Sequence, residues 1–489
     1  MFGSPGFGSP GSDSDDVGNW DDKDFVMEKV KVNGLKLRYA SDELKNDNKI
    51  VLAAVARDGD ALEYASDERK NDKEVVLTAV TQDGDALEYA SVDLRDDPEV
   101  VMAAVAQNQR FDSALEHAGN YMRNNKEIVL AAVAQDGDAL KYASDELKND
   151  REVVMVAVAQ NGDALEFASD EWKNDKEVVL AAVVKDWRAL YYASAALKND
   201  KEIVMAAVAQ NWRALEFAGE DMRNDKEIVM AAVVKDWRAL EYAREAPCNN
   251  RQVMMAAVTQ SWYALEYAGD DRKNDKKIVL AAVAKSWRAL EYAGDDRKND
   301  KEVVLTAVAQ DCRALGFAGE DMRNDKEIML AAVAQDGHAM AHASMDLQAD
   351  RKFMLAAVEQ NWRALEFASM DLQADRKFML AAVARDRRAL GYASKQVVLL
   401  AVRNNGLLLE YANPVLRSDK EVVTTAVHNN VHAIKFAYQL LRDPTFMQFL
   451  IESVEGADQS FLRQKHSEAT PGSEEPTPPN SPRHYKLRF

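Results

Sequence analysis

The sequence predicts an all-α fold in which short helical hairpins repeat along the chain as an α-solenoid. A segment of 25 residues, read at residues 72–94 as D-K-E-V-V-L-T-A-V-T-Q-D-G-D-A-L-E-Y-A-S-V-D-L, returns with little change from residue 22 to about residue 437. In both halves of the segment the apolar residues recur at helical spacing. A fixed period of this length is typical of arrays whose units bury their apolar faces only by stacking on neighbours.

One valine marks each copy and gives a count of 17 repeats. The marker valines are Val30, Val55, Val80 and Val105, then Val133 and every 25th residue to Val383, then Val402 and Val427. The period is broken twice, by three extra residues near 109–111 and by the loss of six residues between Ser394 and Val397. We expect bends or seams at these two places.

The first half of the repeat predicts a capped amphipathic helix. Val76, Ala79 and Val80 lie on one helical face, with the spacing of a core-facing stripe. The position of Asp72 is Asp or Asn in almost every copy, and these side chains are preferred N-caps. A helix is therefore expected to start just after this position in each repeat.

The second half predicts another helix of about ten residues, which would be marginal in isolation and would depend on stacking. Leu87, Ala90 and Leu94 share one face, and the position of Asp83 is Asp, Asn or Ser in most copies, which predicts a second N-cap. Lys or Arg followed by Asn marks the end of this half, where a cation favours the helix dipole.

The two ends of the chain fall outside the repeat. Residues 1–21 and 457–489 are rich in Gly, Pro and Ser and have no periodicity, so we expect disordered tails around a repeat body at 22–456. The last element of that body, residues 444–454, predicts a capping helix with Pro444 in its first turn and Gly456 as its stop.

The repeat resembles a known family. The residues that carry the resemblance are D-K-E-V-V-L-A-A-V at 175–183 and the A-L-x-Y-A-S that follows at 189–194. They are similar to the helical repeats of domain-of-unknown-function family 4116, whose unit corresponds to two of the 25-residue segments. The resemblance covers nearly the whole array. It implies a helical-repeat fold, and it implies no activity, cofactor or site residue.

Charge and composition narrow the classes of partner. The chain has 62 Lys and Arg against 82 Asp and Glu, a net charge of -20, which disfavours non-specific attraction to nucleic acid or to an anionic membrane. No apolar run approaches the roughly 18 residues that a bilayer span needs. The first residues match neither a secretory signal nor a transit peptide. We expect a cytoplasmic or nuclear protein with no membrane partner.

The sequence does not predict an enzyme. It has no phosphate-binding glycine loop, no G-x-S-x-G turn and no paired cysteines. Two histidine pairs have i, i+4 spacing, His338 with His342 and His428 with His432, but neither has the flanking Glu of a metalloprotease helix. The carboxylates recur with the repeat and are interpreted as solvated faces and caps. We therefore expect no catalytic residue, no cofactor and no metal.

One pair of adjacent positions changes along the array. Early copies read Gly-Asp, as in Gly137-Asp138, whereas later copies read Trp-Arg. Because the pair recurs once per repeat, stacking aligns it along one edge, here called the Trp/Arg row. The predicted partner-binding residues of this row are Trp187, Arg188, Trp212, Arg213, Trp237, Arg238, Trp262, Trp287, Arg288, Trp362 and Arg363.

The row has more than one interpretation. A cation in a first helical turn opposes the dipole by about 0.3 to 1 kcal/mol, so a compensating contact is expected. That contact is either a salt bridge within the array, with Trp packed between neighbouring repeats, or an acidic or phosphorylated protein segment bound at a hot spot. RNA is a third candidate, because aromatic rings stack bases, but it is disfavoured by the net charge. We predict a protein-interaction scaffold, with an RNA-binding array and a structural spacer as alternatives.

Overall fold

The repeats build two compact units, residues 1–260 and residues 261–489. A computed structural model of the chain describes residues 18–107 and 114–469. Within these residues the regular structure is α-helix and 3-10 helix, without a strand. Most repeats have three parts, namely a long α-helix, a 3-10 helix and a short α-helix. The predicted all-α solenoid of short helical repeats is confirmed.

The long helix is the predicted first helix. The side chain of Asp72 caps it by accepting hydrogen bonds from the N–H groups of Glu74 and Val75. All the marker valines are buried on these helices except Val383, which is half-buried. In the first unit the long helices are Lys23–Val32, Asn48–Val55, Lys73–Gln82, Pro98–Ala106, Lys126–Gln135, Arg151–Gln160, Lys176–Lys185, Lys201–Gln210, Lys226–Lys235 and Arg251–Gln260. In the second unit they are Lys276–Lys285, Lys301–Gln310, Lys326–Gln335, Arg351–Gln360, Arg376–Arg385, Lys395–Asn404 and Lys420–Asn429.

The second part is a 3-10 helix, so the prediction of a second ten-residue α-helix is wrong. Asp83 caps this helix as predicted, by accepting from the N–H of Asp85. The backbone then becomes extended at Ala90, and the N–H of Ser91 donates to the carbonyl of Lys70 in the preceding repeat at 2.9 Å. This bond between repeats ends the helix, and no local pattern reveals it. The 3-10 helices of the first unit are Gly34–Tyr39, Gly59–Tyr64, Gly84–Tyr89, Ala114–Glu116, Gly137–Tyr142, Gly162–Phe167, Trp187–Tyr192, Trp212–Glu216 and Trp237–Glu241. Those of the second unit are Trp262–Tyr267, Trp287–Tyr292, Cys312–Gly316, Gly337–His342, Trp362–Phe367, Arg387–Tyr392, Gly406–Tyr411 and Val431–Phe436.

The third part is a short α-helix, which has a side-chain cap in some repeats and a glycine at the cap position in others. The hydroxyl of Ser91 accepts from the N–H of Leu94, whose side chain is buried. The short helices are Asp42–Lys45, Asp67–Lys70, Val92–Arg95, Asn120–Arg123, Asp145–Lys148, Asp170–Lys173, Glu220–Arg223 and Glu245–Cys248 in the first unit, and Asp270–Lys273, Asp295–Lys298, Glu320–Arg323, Met345–Ala349 and Met370–Ala374 in the second. Single 3-10 turns replace them at Leu197–Asn199, Leu416–Ser418 and Leu440–Arg442.

Polar contacts of the long helices join successive repeats at both helix ends. At the N-terminal end, the ammonium of Lys176 lies 2.9 Å from Asp200, the N-cap of the next long helix. At the C-terminal end, the amide of Gln160 donates to the carbonyl of Gln135 at 2.8 Å and accepts from the N–H of Gly137 at 2.9 Å. Without this side chain, the carbonyl of Gln135 at the end of one helix and the N–H of Gly137 at the start of the next would lack a hydrogen-bond partner from a helix.

The two breaks of the period have different outcomes. The first lies outside the described residues. At the second, the missing residues remove the short helix, because the 3-10 helix ends at Tyr392 and the next long helix starts at Lys395. Lys395 still pairs with Asp419 of the following repeat at 2.8 Å. The deletion therefore removes one element and keeps the contact between repeats.

Both predicted tail boundaries need correction. At the start, Trp20 packs against Phe25 and Tyr39, with ring centroids 5.3 and 5.1 Å apart, so the first repeat begins before residue 22. At the end, the predicted capping helix is Pro444–Glu452, and a further helix, Ala457–Ala469, follows the positive φ of Gly456. Leu462 of this helix is fully buried. Residues 1–17 and 470–489 of the predicted tails lie outside the described residues.

No helix in the described ranges has both the length and the apolar character needed to cross a membrane.

Candidate partner-binding site

The Trp/Arg row occupies the first two positions of the 3-10 helices. Each Trp follows the N-cap directly and is half-buried, whereas each Arg after it is exposed. The first unit holds three consecutive pairs, at Trp187, Trp212 and Trp237, and the second unit holds Trp262, Trp287 and Trp362. The row is therefore a surface feature whose tryptophans also contribute to packing.

The tryptophans connect neighbouring repeats. The ring of Trp187 stacks on Phe217 of the next repeat, with centroids 5.8 Å apart and ring planes 16° apart. A tilted form of this contact, with ring planes 31 to 44° apart, recurs between Trp212 and Tyr242 in the first unit, and between Trp262 and Tyr292, Trp287 and Phe317, and Trp362 and Tyr392 in the second, at 5.9 to 6.2 Å. The interpretation that Trp packs between repeats is confirmed for these five residues. Their aromatic partners, 30 residues downstream, were not predicted.

Two guanidinium groups contact one tryptophan at three places in the row. The guanidinium carbons of Arg213 and of Arg238 in the next repeat lie 5.3 and 5.9 Å from the ring centroid of Trp212. In the second unit Trp287 has Arg288 and Arg313 at 5.5 and 5.3 Å, and Trp362 has Arg363 and Arg388 at 5.6 and 5.8 Å. Sequence reasoning missed Arg313 and Arg388, because Cys312 and Arg387 stand where Trp was sought. The recurrence of Arg every 25 residues was the available signal.

The N-cap before each pair decides whether the arginine has a carboxylate partner. Arg238 makes two hydrogen bonds to the carboxylate of Asp236, at 3.0 and 2.8 Å, and this contact holds the pKa of Asp236 below its usual range. Arg188, Arg313 and Arg388 also pair with the cap aspartate two residues before them. Where the cap is Asn or Ser, at Arg213, Arg288 and Arg363, the described part of the chain supplies no ion pair.

A second row of charge runs beside the arginines. Exposed glutamates such as Glu216 and Glu241 stand three residues after Arg213 and Arg238 in the same 3-10 helices. Tyr192 ends the 3-10 helix that begins at Trp187. Burial and the hydrogen bond to the Glu166 carboxylate raise its pKa to about 12. The cationic strip is narrow because it is flanked by carboxylates.

The Gly-Asp repeats differ from the Trp-Arg repeats in packing as well as in charge. A Cβ atom on Gly137 would lie 2.6 Å from the carbonyl oxygen of Ala157, so the next long helix approaches too closely for any side chain. Burial and the neighbouring carboxylates of Asp136 and Asp163 raise the pKa of Asp138. In the change from Gly-Asp to Trp-Arg, an aromatic side chain therefore takes the place of a close backbone contact, and a cationic surface takes the place of an acidic one.

Metal ligation by acidic residues or by the two histidine pairs is the other candidate chemistry of the chain. In residues 18–107 and 114–469 there is no group of three or more His, Cys, Asp or Glu arranged to hold a metal ion. In the two histidine pairs, His338 lies 2.9 Å from Asp336, and His428 lies 3.0 Å from the hydroxyl of Ser453. Both are local contacts within or between neighbouring repeats.

Comparison with known proteins bears on the repeat itself. No curated protein matches the chain. The family model described as a domain of unknown function, DUF4116, matches residues 22–70, 72–123, 97–148, 125–173, 150–198, 175–223, 200–246, 250–297, 300–348, 350–397 and 395–442. These overlapping matches cover most of the sequence, and each spans about two of the 25-residue segments, as a two-segment unit requires. The chain belongs to the family of domain of unknown function DUF4116.

Proposed function

We propose that this chain is a non-enzymatic interaction scaffold that binds an acidic protein segment along the Trp/Arg row. The observation that carries the proposal is the pairing of two guanidinium groups on one tryptophan, as at Trp212. Stacking uses the flat face of a guanidinium and leaves its N–H donors for a carboxylate. An arginine that is already ordered loses less conformational entropy when it binds.

The arginines also have the capacity to accept a new partner. Arg213, in the first unit, follows an asparagine cap and has no ion pair in the described residues. Arg238 pairs with its own cap aspartate, but exposed pairs of this kind contribute only about 0 to 1 kcal/mol. A ligand carboxylate can therefore replace the aspartate, or share the arginine with it, at a small cost in free energy.

The contacts of the tryptophans favour a protein segment over single-stranded RNA. Base stacking needs an open aromatic face. The ring of Trp212 is already contacted by Tyr242 and by two guanidinium groups, and the net charge of -20 repels a polyanion. A short acidic peptide requires only the narrow cationic strip.

The proposal is tested by fluorescence polarisation with a labelled glutamate-rich peptide. The test variant changes Arg188, Arg213 and Arg238 to Gln. The matched control changes Lys176, Lys201 and Lys226 to Gln, which removes the same charge from the same repeats. These lysines lie at the opposite ends of the ten-residue long helices, about 15 Å away by helical rise.

We expect the arginine variant to weaken binding by about 3- to 150-fold, because three exposed ion pairs contribute roughly 0.2 to 1 kcal/mol each. The lysine variant should bind within about twofold of the parent chain. Equal losses in both variants would indicate non-specific electrostatics and contradict the proposal. Salt-dependent binding of single-stranded RNA, with no peptide binding, would favour the nucleic-acid alternative.

A further inference from the structure

The spacing of the arginines limits which conformations of a bound segment can follow the row. The guanidinium carbons of Arg213 and Arg238 lie 5.3 and 5.9 Å from the centroid of the Trp212 ring. Because both carbons lie this close to one ring centroid, they are at most about 11 Å from each other. The pairs on Trp287 and Trp362 give the same limit. The usual spacing of packed helices, roughly 8 to 10 Å, sets a similar step for successive repeats.

An extended β-strand does not match this step. Side chains on one face of a strand recur every second residue, at about 6.6 Å, or every fourth residue, at about 13 Å. The first distance is shorter than the usual spacing of packed helices, and the second exceeds the limit that the shared rings impose. A strand would therefore lose register with the arginines after one repeat.

A polyproline II helix matches the step. It has three residues per turn and rises about 3.1 Å per residue, so every third side chain lies on one face at intervals of about 9.3 Å. A heptad-spaced α-helix also fits, at about 10.5 Å, but it is roughly 10 to 12 Å wide. It would cover the exposed carboxylates of Glu216 and Glu241, which stand beside the arginines in the same 3-10 helices. A polyproline II segment is narrower and contacts fewer of them.

We propose that the Trp/Arg row recognises a proline-rich acidic segment in the polyproline II conformation, with a carboxylate at every third residue. The inference rests on the proposed function and adds the conformation and period of the partner. Each carboxylate meets the arginine of one repeat. The prolines between them keep the segment in this conformation and hold its carboxylates at the spacing of the arginines. The conformation is already populated in the free segment, so little order is lost on binding.

The test compares three twelve-residue peptides on the full chain by fluorescence polarisation. The first is (Glu-Pro-Pro)4. The second has the same composition and charge but the order (Glu-Glu-Pro-Pro-Pro-Pro)2, which removes the period of three. The third, (Glu-Gly-Gly)4, keeps the period and removes the stiffness. We expect the first peptide to bind about fivefold or more tightly than each of the others. Misaligned carboxylates of the second peptide each lose an ion pair, and the flexible third peptide loses more conformational entropy on binding.

The same peptides are then measured on a variant in which all seven arginines of the row are changed to Gln, namely Arg188, Arg213, Arg238, Arg288, Arg313, Arg363 and Arg388, and whose fold is checked by circular dichroism. The preference for the first peptide should fall to within about twofold. Equal binding of the first two peptides by the parent chain would overturn the inference while leaving acidic-segment binding intact. Tighter binding of a heptad-spaced acidic α-helix would also overturn it. Absence of binding by all the peptides would contradict the proposed function itself.

Discussion

Removal of one tryptophan from the row should loosen the contact between two repeats. In the change Trp212→Ala the chain loses the aromatic pair with Tyr242, which contributes about 0.5 to 1.5 kcal/mol beyond area burial. It also loses two cation–π contacts, with Arg213 and Arg238, each about 0.5 to 1 kcal/mol at an exposed site. We therefore expect a local loss of about 1.5 to 3.5 kcal/mol.

Hydrogen exchange measures this loss where it occurs. A whole-chain melting curve would average over many repeats, whereas local opening near Trp212 exposes the amides of Lys201–Gln210 and Lys226–Lys235. Because about 1.4 kcal/mol corresponds to a factor of ten, these amides should exchange about 10- to 400-fold faster. Amides of Lys126–Gln135, three repeats before Trp212, should keep their rates because each repeat contacts only its neighbours.

Two variants separate the contributions. Trp212→Phe keeps an aromatic ring and should accelerate exchange much less than Trp212→Ala. Arg213→Gln removes one cation–π contact and should accelerate exchange by no more than about fivefold, from a loss of at most roughly 1 kcal/mol. An increase of less than about threefold for Trp212→Ala would show that the ring does not hold the repeats together, and would refute the reasoning.

Three further outcomes are expected for contacts described above. Asp138→Asn should slow local hydrogen exchange at pH 7, because the pKa of Asp138 is raised in the folded chain and its ionised form therefore destabilises the fold. This gain in stability should vanish below about pH 4, where the aspartate is protonated in both the folded and the unfolded chain. Gln160→Ala should destabilise the contact with the preceding repeat by about 1 to 3 kcal/mol, since the carbonyl of Gln135 and the N–H of Gly137 lose their partner. Denaturant-dependent hydrogen exchange measures this loss, and unchanged rates would show that water replaces the side chain. Gly137→Ala should cost about 1 to 3 kcal/mol by the same measurement, because its Cβ would lie 2.6 Å from the carbonyl oxygen of Ala157, and a neutral result would mean that the next helix moves away freely.

Features that depend on local chemistry were predictable. The cap at Asp72 and the buried face around Val76 follow from residue type and spacing within one turn, and the structure has both. The cap at Asp83 was predicted for the same reason, although the helix that it starts is of the 3-10 type. The Trp/Arg row was predicted from its recurrence, and the structure shows that its arginines are exposed and its tryptophans half-buried.

Features that depend on contacts between repeats were not predictable. The second helix ends where Ser91 donates to Lys70. This bond recurs in most repeats, but it joins residues 21 positions apart, so the sequence of a single repeat does not reveal it. The terminal helix Ala457–Ala469 was missed because most of its residues are polar and, among the side chains that the structure describes there, Leu462 alone is fully buried. Nor could residue type show that Trp212 would contact Tyr242 of the following repeat, since either residue alone reads as a surface aromatic.

The ion pair that joins successive long helices has a consequence for how such a gene can grow. Asp200 caps its own helix and also receives Lys176 from the preceding repeat, so most copies supply a cation in one direction and a carboxylate in the other. A newly inserted copy finds a matching neighbour on both sides without any compensating mutation. Residues 343–358 and 368–383 are identical, as expected if whole repeats are copied and retained intact.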